Sequence, residues 1–279
     1  MVGLAMNALP LFEIVPNISE GRDTTIVDAC VEAIAQSGAR VIDRTMDGIH
    51  HRSVITAVGS AGELLAASIA LAGVAADRID LRTHRGVHPR IGALDVLPFI
   101  ALRGATLTDA AELAREAARQ IWQNHRVPSY YYGAAATAPD ARTLPDVRRG
   151  GIPLDVGDRE HASAGAIAVG ARDFLVAFNV ELGSDDLELA RLIARTVRER
   201  NGGLQTLRAL GLPRAPGIVQ VSFNITDSDA TPIYRVVELV RALAAESGIE
   251  IVRSELIGLV PRKALQATAA YYAHDEATL

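Results

Sequence analysis

Apolar and polar positions follow two periods along this chain, and the switches between them predict its elements. LFEIVPNIS (11–19) reads as a strand ending in a turn. Asp23 is placed to cap a helix over TTIVDACVEAIAQS, with Gly38 at its end. ARVIDRTM (39–46) and RSVITAVG (52–59) are extended runs on either side of DGIHH. AGELLAASIALAGVAA (61–76) is an alanine-rich, mostly apolar helix, so it is largely covered. A short strand is expected at 79–83, and GALDVLPFIAL (92–102) extends again. Thr108 with Glu112 opens a long amphipathic helix, TDAAELAREAARQIWQNH, and SYYYG (129–133) is strand-like. Residues 134–165 read as irregular, rich in Gly, Pro, Asp and Arg, and a connection of that length is usually functional or disordered.

The pattern then begins again. ARDFLVAFNVEL (171–182) is a strand, a helix covers 185–200, and IVQVSFNIT (218–226) is a strand. TPIYRVVELVRALAAES (231–247) is a helix with proline in its first turn. IEIVRSELIGLVP (249–261) is a strand, and a terminal helix follows. The expectation is therefore a short N-terminal extension (1–10) and two successive α+β units, 11–172 and 173–279. The pattern leaves parallel and antiparallel strand order equally open.

Composition bounds the function. A chain of 279 residues with 49% hydrophobic and 22% charged residues is globular and long enough for two subdomains. The formal net charge of −5 argues against a generic nucleic-acid binder, while leaving room for a local basic cleft. Cys30 is the only cysteine, which excludes a disulfide or a thiolate metal cluster within one chain and suits a small buried apolar residue. No apolar run approaches a membrane span, and MVGLAMNALP lacks the basic residues of a secretory signal, so a cytoplasmic location without membrane partners is expected.

The candidate chemistry gathers in HRGVHPRIGALDVLPF (84–99). Of seven histidines, four stand at positions 50, 51, 84 and 88. His84 and His88 have the four-residue spacing of a helical metal pair, completed in principle by Asp47, His50 and His51. Gly86 and Pro89 oppose a helix there, so no metal is expected. His88 suits a general base: an imidazole titrates near neutrality, Pro89 limits its backbone, and Arg82, Arg85 and Arg90 would keep it neutral and hold carboxylates. Asp95 beyond it is a candidate to orient an imidazole, or else a solvated strand residue. In VPNISEGR (15–22), Asn17, Ser19 and Glu20 sit at a strand end; the same stretch is also an ordinary turn and helix cap. Arg52 opens a strand as a carboxylate ligand or an edge charge. GAIAVGAR (165–172) would permit close backbone approach to a ligand.

These strings resemble, in order, the glutamate formiminotransferase family: VPNISEGR, HHRSVITAVG, HRGVHPRIGALDVLPF, GAIAVGARDFLVAFNVEL, IVQVSFNIT and SELIGLVPRKAL, over residues 12–272. The resemblance implies an α+β fold of two similar subdomains. Each would be a four-stranded mostly antiparallel sheet with helices on one face, with a ligand tunnel between them and pairing as homodimers. It implies transfer of a formimino group from N-formimino-L-glutamate to N5 of tetrahydrofolate, a co-substrate, in histidine degradation. Formyl exchange between 5-formyltetrahydrofolate and glutamate, or folate binding without turnover, are the alternatives.

His88, in the HPR motif, is the implied catalytic residue. The implied folate-contacting loop is Gly157, Asp158, Arg159, Glu160, His161, Ala162, Ser163, Ala164 and Gly165. Asn17, His51, Arg52, His84, Arg90, Asp95 and Arg172 complete the expected substrate site, with the arginines holding carboxylates. The chain departs from the common family strings at Val87, where Glu is usual, and at His51, where Asn is usual. Thr45 replaces an Asp found in some members, and Asp158 and Ala162 replace prolines.

Overall fold

The structure is a computed structural model that describes residues 9–85, 90–137 and 143–275. The chain divides into two compact units, Met1–Asp173 and Phe174–Leu279.

In the first unit, β1 (Phe12–Ile14) and β2 (Asn17–Ile18) act as one bent strand, since both pair antiparallel with β4 (Arg52–Gly59) and with β5 (Leu94–Ala101). The break falls at Val15-Pro16, where proline has no N–H to give to the ladder. β3 (Arg40–Asp47) pairs antiparallel with β4. With α1 (Thr24–Gln36) and α2 (Ala61–Arg78), these strands form a β-α-β-β-α-β unit of ferredoxin-like order, the bent first strand lying between β4 and β5. After α3 (Leu107–His125), β6 (Ser129–Gly133) and α4 (Leu144–Arg149), the sheet grows by a parallel β5–β7–β6 extension through β7 (Ile167–Ala171). The first sheet thus has seven strands and is mixed, larger than the four antiparallel strands expected.

The helices supply the inner face of this sheet. Val27, Cys30 and Ile34 of α1, Leu64 and Leu71 of α2, and Ala114 and Ile121 of α3 pack with Ile14, Ile18, Ile55, Leu97 and Phe99. Burying a side chain such as Phe99, which is fully covered, stabilises the unit by about 2–3 kcal/mol. Cys30 is buried in this core, and burial pushes its thiol up to about 12, so it packs as an apolar residue. The opposite face of β5–β7–β6 carries a smaller cluster, Val96, Tyr132 and Ala168, covered by Val147 of α4.

The second unit repeats the first unit's β-α-β-β-α-β order. β8 (Val176–Leu182), α5 (Leu187–Val197), β9 (Leu207–Ala215), β10 (Ile218–Ile225), α6 (Ile233–Ala245) and β11 (Ile251–Ile257) form a four-stranded antiparallel sheet ordered β11-β8-β10-β9. α7 (Arg262–Asp275) follows. Phe178 and Phe223 stack in its core, ring centroids 5.0 Å apart. Among the described residues, no helix is long and apolar enough to cross a membrane.

Several local expectations change. Residues 79–83 form no strand: α2 runs on to Arg78 and the chain then turns. The α3 cap is Thr106, which exchanges hydrogen bonds with Asp109, two residues ahead of the expected start. The stretch 134–165 contains α4, and the extended run at 171–182 begins earlier and divides into β7 and β8.

Candidate functional site

The candidate site is built on the turn between β3 and β4. Asp47 closes that turn, its Oδ1 accepting from Ile49 N (2.8 Å) and His50 N (2.9 Å). Its Oδ2 lies 2.7 Å from His50 Nδ1. Burial raises the Asp47 carboxyl, but the His50 ring and main-chain bonds outweigh it and hold it well below the usual carboxylate range. His51 follows with φ +53°, a left-handed conformation that a non-glycine residue rarely adopts.

VPNISEGR docks against the same turn. Glu20 is buried, and its Oε1 accepts three main-chain N–H groups, from Gly21 (2.8 Å), Arg22 (2.7 Å) and Asp23 (3.0 Å), just ahead of α1. The glycine is required by space: a Cβ at Gly21 would stand 2.3 Å from Asp47 O and 2.4 Å from Arg52 N. The Gly21 N–H also reaches His51 Nδ1 at 3.1 Å, and Glu20 Oε1 lies 3.2 Å from the same nitrogen. Arg22 Nε donates to Gly48 O (2.8 Å) and ties the turn from its other side.

His84 and Arg90 close over this turn. The His84 and His51 rings lie 4.0 Å apart, inclined by 32°. Arg90 donates from Nη2 to His50 O (3.0 Å) and from Nη1 to His51 O (3.2 Å), and Nη1 lies 2.7 Å from His84 Nδ1 and 2.8 Å from Nε2. A guanidinium is only a donor, so the His84 ring meets it as an acceptor and is neutral. Burial, with Arg90 and His51 adding to it, pushes the His84 pKa down to about 4. Burial also lowers His51, Glu20 opposing and Arg22 and Arg90 assisting.

On β4, Arg52 donates from Nη2 to Asn17 Oδ1, and Asn17 is steadied by its own Nδ2 donating to Val15 O (2.7 Å). Burial brings Arg52 down to about 10, against the pull of Asp95 and with the push of Arg148 and Arg90. Asp95 is 2% exposed; it accepts from Ile91 N (2.7 Å) and from Arg148 Nη2 (2.6 Å). It therefore holds the end of the histidine segment and an arginine of α4, rather than facing solvent.

The 157–165 loop is stitched to the same segment. Leu81 N donates to Ser163 O (2.8 Å), Ala93 N to Ala164 O (2.9 Å) and Ala166 N to Ile91 O (3.0 Å). His161 and Gly165 exchange two main-chain bonds of 2.9 Å. Gly165, at φ +68°, lies so close to Ile91 O that a Cβ there would stand 2.2 Å from it. His161 Nδ1 accepts from Ala164 N (3.1 Å), which leaves Nε2 as the ring's donor. Gly157 lies against Trp122 and Pro128, while Asp158, Arg159, Glu160 and Ala162 are exposed.

The structure thus brings together Asn17, His51, Arg52, His84, Arg90, Asp95 and the Ser163–Gly165 end of the loop. His88, with Gly86, Val87 and Pro89, lies outside the described residues. Arg172 stands elsewhere: its N donates to Phe99 O (3.2 Å) and its charge acts on buried Glu13, about five residues or ~16 Å up the strands from Leu94. Arg82 is exposed and paired with Asp80. Two contributors escaped the sequence reading. Arg22 sits in the quoted VPNISEGR string, and Arg148 follows a Thr143–Asp146 cap whose Asp146 Oδ2 accepts from Thr143 N (2.9 Å), a legible helix signal. Among the described residues, no group of three or more His, Cys, Asp or Glu is placed to hold a metal ion.

Neutral imidazoles, buried guanidiniums and one shared carboxylate suit a site that accepts a proton and holds carboxylates. Comparison with known proteins points the same way. The formiminotransferase domain, N-terminal subdomain, matches residues 11–172, and the formiminotransferase domain matches residues 177–279. The chain is 38% identical to a glutamate formimidoyltransferase of Thermoplasma acidophilum, over 95% of this chain and 92% of that protein. It is 36% identical to a glutamate formimidoyltransferase of Streptococcus pyogenes serotype M1, over 95% and 94%. It is also 36% identical to the formimidoyltransferase-cyclodeaminase of Rattus norvegicus, over 95% of this chain and 53% of that protein. The chain belongs to the formiminotransferase family.

Proposed function

We propose that this chain is a glutamate formiminotransferase that moves a formimino group from N-formimino-L-glutamate to N5 of tetrahydrofolate, with His88 as general base. The observation that carries the reading is the match to glutamate formimidoyltransferases across 95% of the chain. The chemistry of the site supports it. N5 attacks the amidine carbon and a new N5–C bond forms. His88 takes the N5 proton as the tetrahedral adduct develops and returns it to the departing nitrogen as the bond to glutamate breaks. The products are 5-formiminotetrahydrofolate and glutamate, and no oxidant or metal enters the balance.

The sequence around His88 supports this role. His84 and Arg90 flank it in sequence, and both are fixed on the β3–β4 turn. A cationic surround keeps an imidazole unprotonated and ready as a base at neutral pH. Holding both substrates together supplies much of the rate by proximity. The same reading takes the folate along the 157–165 loop and the chain as a cytoplasmic homodimer.

The test is His88→Ala assayed with tetrahydrofolate and N-formimino-L-glutamate. Transfer is expected to be lost while tetrahydrofolate binding, measured by calorimetry, survives. Near wild-type turnover in the variant overturns the base, and a wild-type chain that binds tetrahydrofolate without consuming the donor overturns the transferase reading.

A further inference from the structure

Arg148 lies near the end of α4, outside the strings quoted above for the resemblance. Its side chain is 17% exposed, and Nη2 donates to Asp95 Oδ2 at 2.6 Å. Its Nε is buried and meets no acceptor among the described residues. An arginine cannot shed this proton, and a buried donor without a partner is costly, so such atoms are few in native proteins. Among the described residues, nothing answers this donor, which leaves it open to a ligand.

Its surroundings define what that is. Among the described residues, the charges acting on Arg52 are Asp95, Arg148 and Arg90, and those acting on Arg90 are Asp95, Arg148 and Arg22. Asp95 is the carboxylate these guanidiniums share, and it meets Arg148 through Nη2 alone, so a ligand carboxylate has the Nε–H to itself. Asp95 already fixes Arg148 through one nitrogen, and Asn17 fixes Arg52, so the donors are oriented before any ligand arrives. The planar fork of arginine matches a carboxylate, which both proposed substrates carry.

We infer that Arg148 is a carboxylate-binding residue of the substrate site, its buried Nε–H donating to one carboxylate oxygen of the formimino donor or of the folate glutamyl tail. This rests on the transferase reading above.

Full-length Arg148→Gln and Arg148→Lys are the variants. Lysine keeps the charge beside Asp95 but has no Nε–H, so it carries the test where glutamine disturbs folding. KM for the substrate whose carboxylate is held should rise about tenfold or more while kcat stays within about threefold. N-formimino-4-aminobutyrate and N-formimino-2-aminobutyrate, which lack the α- and the γ-carboxylate, identify the source: if the donor is held, wild-type preference for N-formimino-L-glutamate over one of them collapses in the variants. If the folate tail is held, the preference for tetrahydrofolate over tetrahydropteroate collapses instead. A variant with lowered Tm and both preferences intact overturns the inference and leaves the transferase reading standing. Should the wild-type chain not turn over, calorimetry with glutarate decides: binding lost in both variants upholds the carboxylate site, and binding absent from the wild type or unchanged in the variants overturns it.

Discussion

The His84 imidazole lies on the His51 imidazole with ring centroids 4.0 Å apart. Neither ring can take a proton without placing a cation beside the other and beside Arg90, which already donates to His84. The folded His84 ring is pushed down to about 4 from its ordinary 6.5, by burial first. The unfolded chain then binds this proton more readily. Native stability is full above pH ~6.5, falls as pH drops towards about 4, and levels below that. Tm measured across this window should fall less in His84→Gln than in the wild type. An NMR titration that finds the His84 ring protonating at pH 6 or above contradicts this close ring contact.

His51 at φ +53° gives a second prediction. Asparagine, usual here in the strings this chain resembles, tolerates the left-handed region, so His51→Asn should leave stability within about 0.5 kcal/mol of wild type. His51→Val places a β-branched residue there and should cost about 2 kcal/mol. Urea unfolding of the two variants checks the difference, and equal midpoints would refute it.

Gly21 sits where no side chain fits, with Asp47 O and Arg52 N both within 2.4 Å of a built Cβ. Gly21→Ala must push the Glu20 cap away from the β3–β4 turn. A loss of about 2–3 kcal/mol is expected, along with a fall in kcat, because the turn carries His51 and Arg52. A fully active, equally stable variant would show that the two segments are not in contact.

In the second unit, Glu181 is 2% exposed and accepts from Arg253 (2.9 and 2.8 Å) and Arg214 (3.1 Å). The Arg253 bonds hold its carboxyl below the usual range against burial, and Arg214 assists. Such a group contributes stability that is present above its unfolded pKa, near 4.5, and lost as pH falls through the lower folded value. Glu181→Gln should destabilise by about 2 kcal/mol at pH 7, with a smaller penalty at acidic pH. Chemical unfolding at several pH values reads the effect; a penalty that grows on acidification would reverse the sign.

Much of this molecule is legible in the sequence because local signals agree with the fold. The β-branched extended run RSVITAVG marks β4 at its observed bounds, and Asp23 caps α1 by accepting from Thr25 N at 2.9 Å. The misses have physical causes. β7 is covered on both faces and pairs in parallel, so IAVGA shows no alternation. β9 is an edge strand whose Gly211 and Pro213 weaken its pattern, and the edge position tolerates the proline. Thr106 rather than Thr108 caps α3 because Asp109 stands three residues after it and returns the bond, whereas Ala111 stands three after Thr108. In the site, the histidines and Arg52 announce themselves by their unusual density. Arg148 does not, because its importance comes from Asp95, 53 residues earlier.

The repeated strand order has a consequence for the integrity of the polypeptide. Among the described residues, every rung of hydrogen bonding closes inside its own ladder, and neither ladder borrows a strand from the other. A nick between Asp173 and Phe174 would fall in the gap between β7 and β8 and sever no rung. Co-expressed as two fragments, the halves would each retain a complete template for pairing, as if the gene had been written twice and then joined.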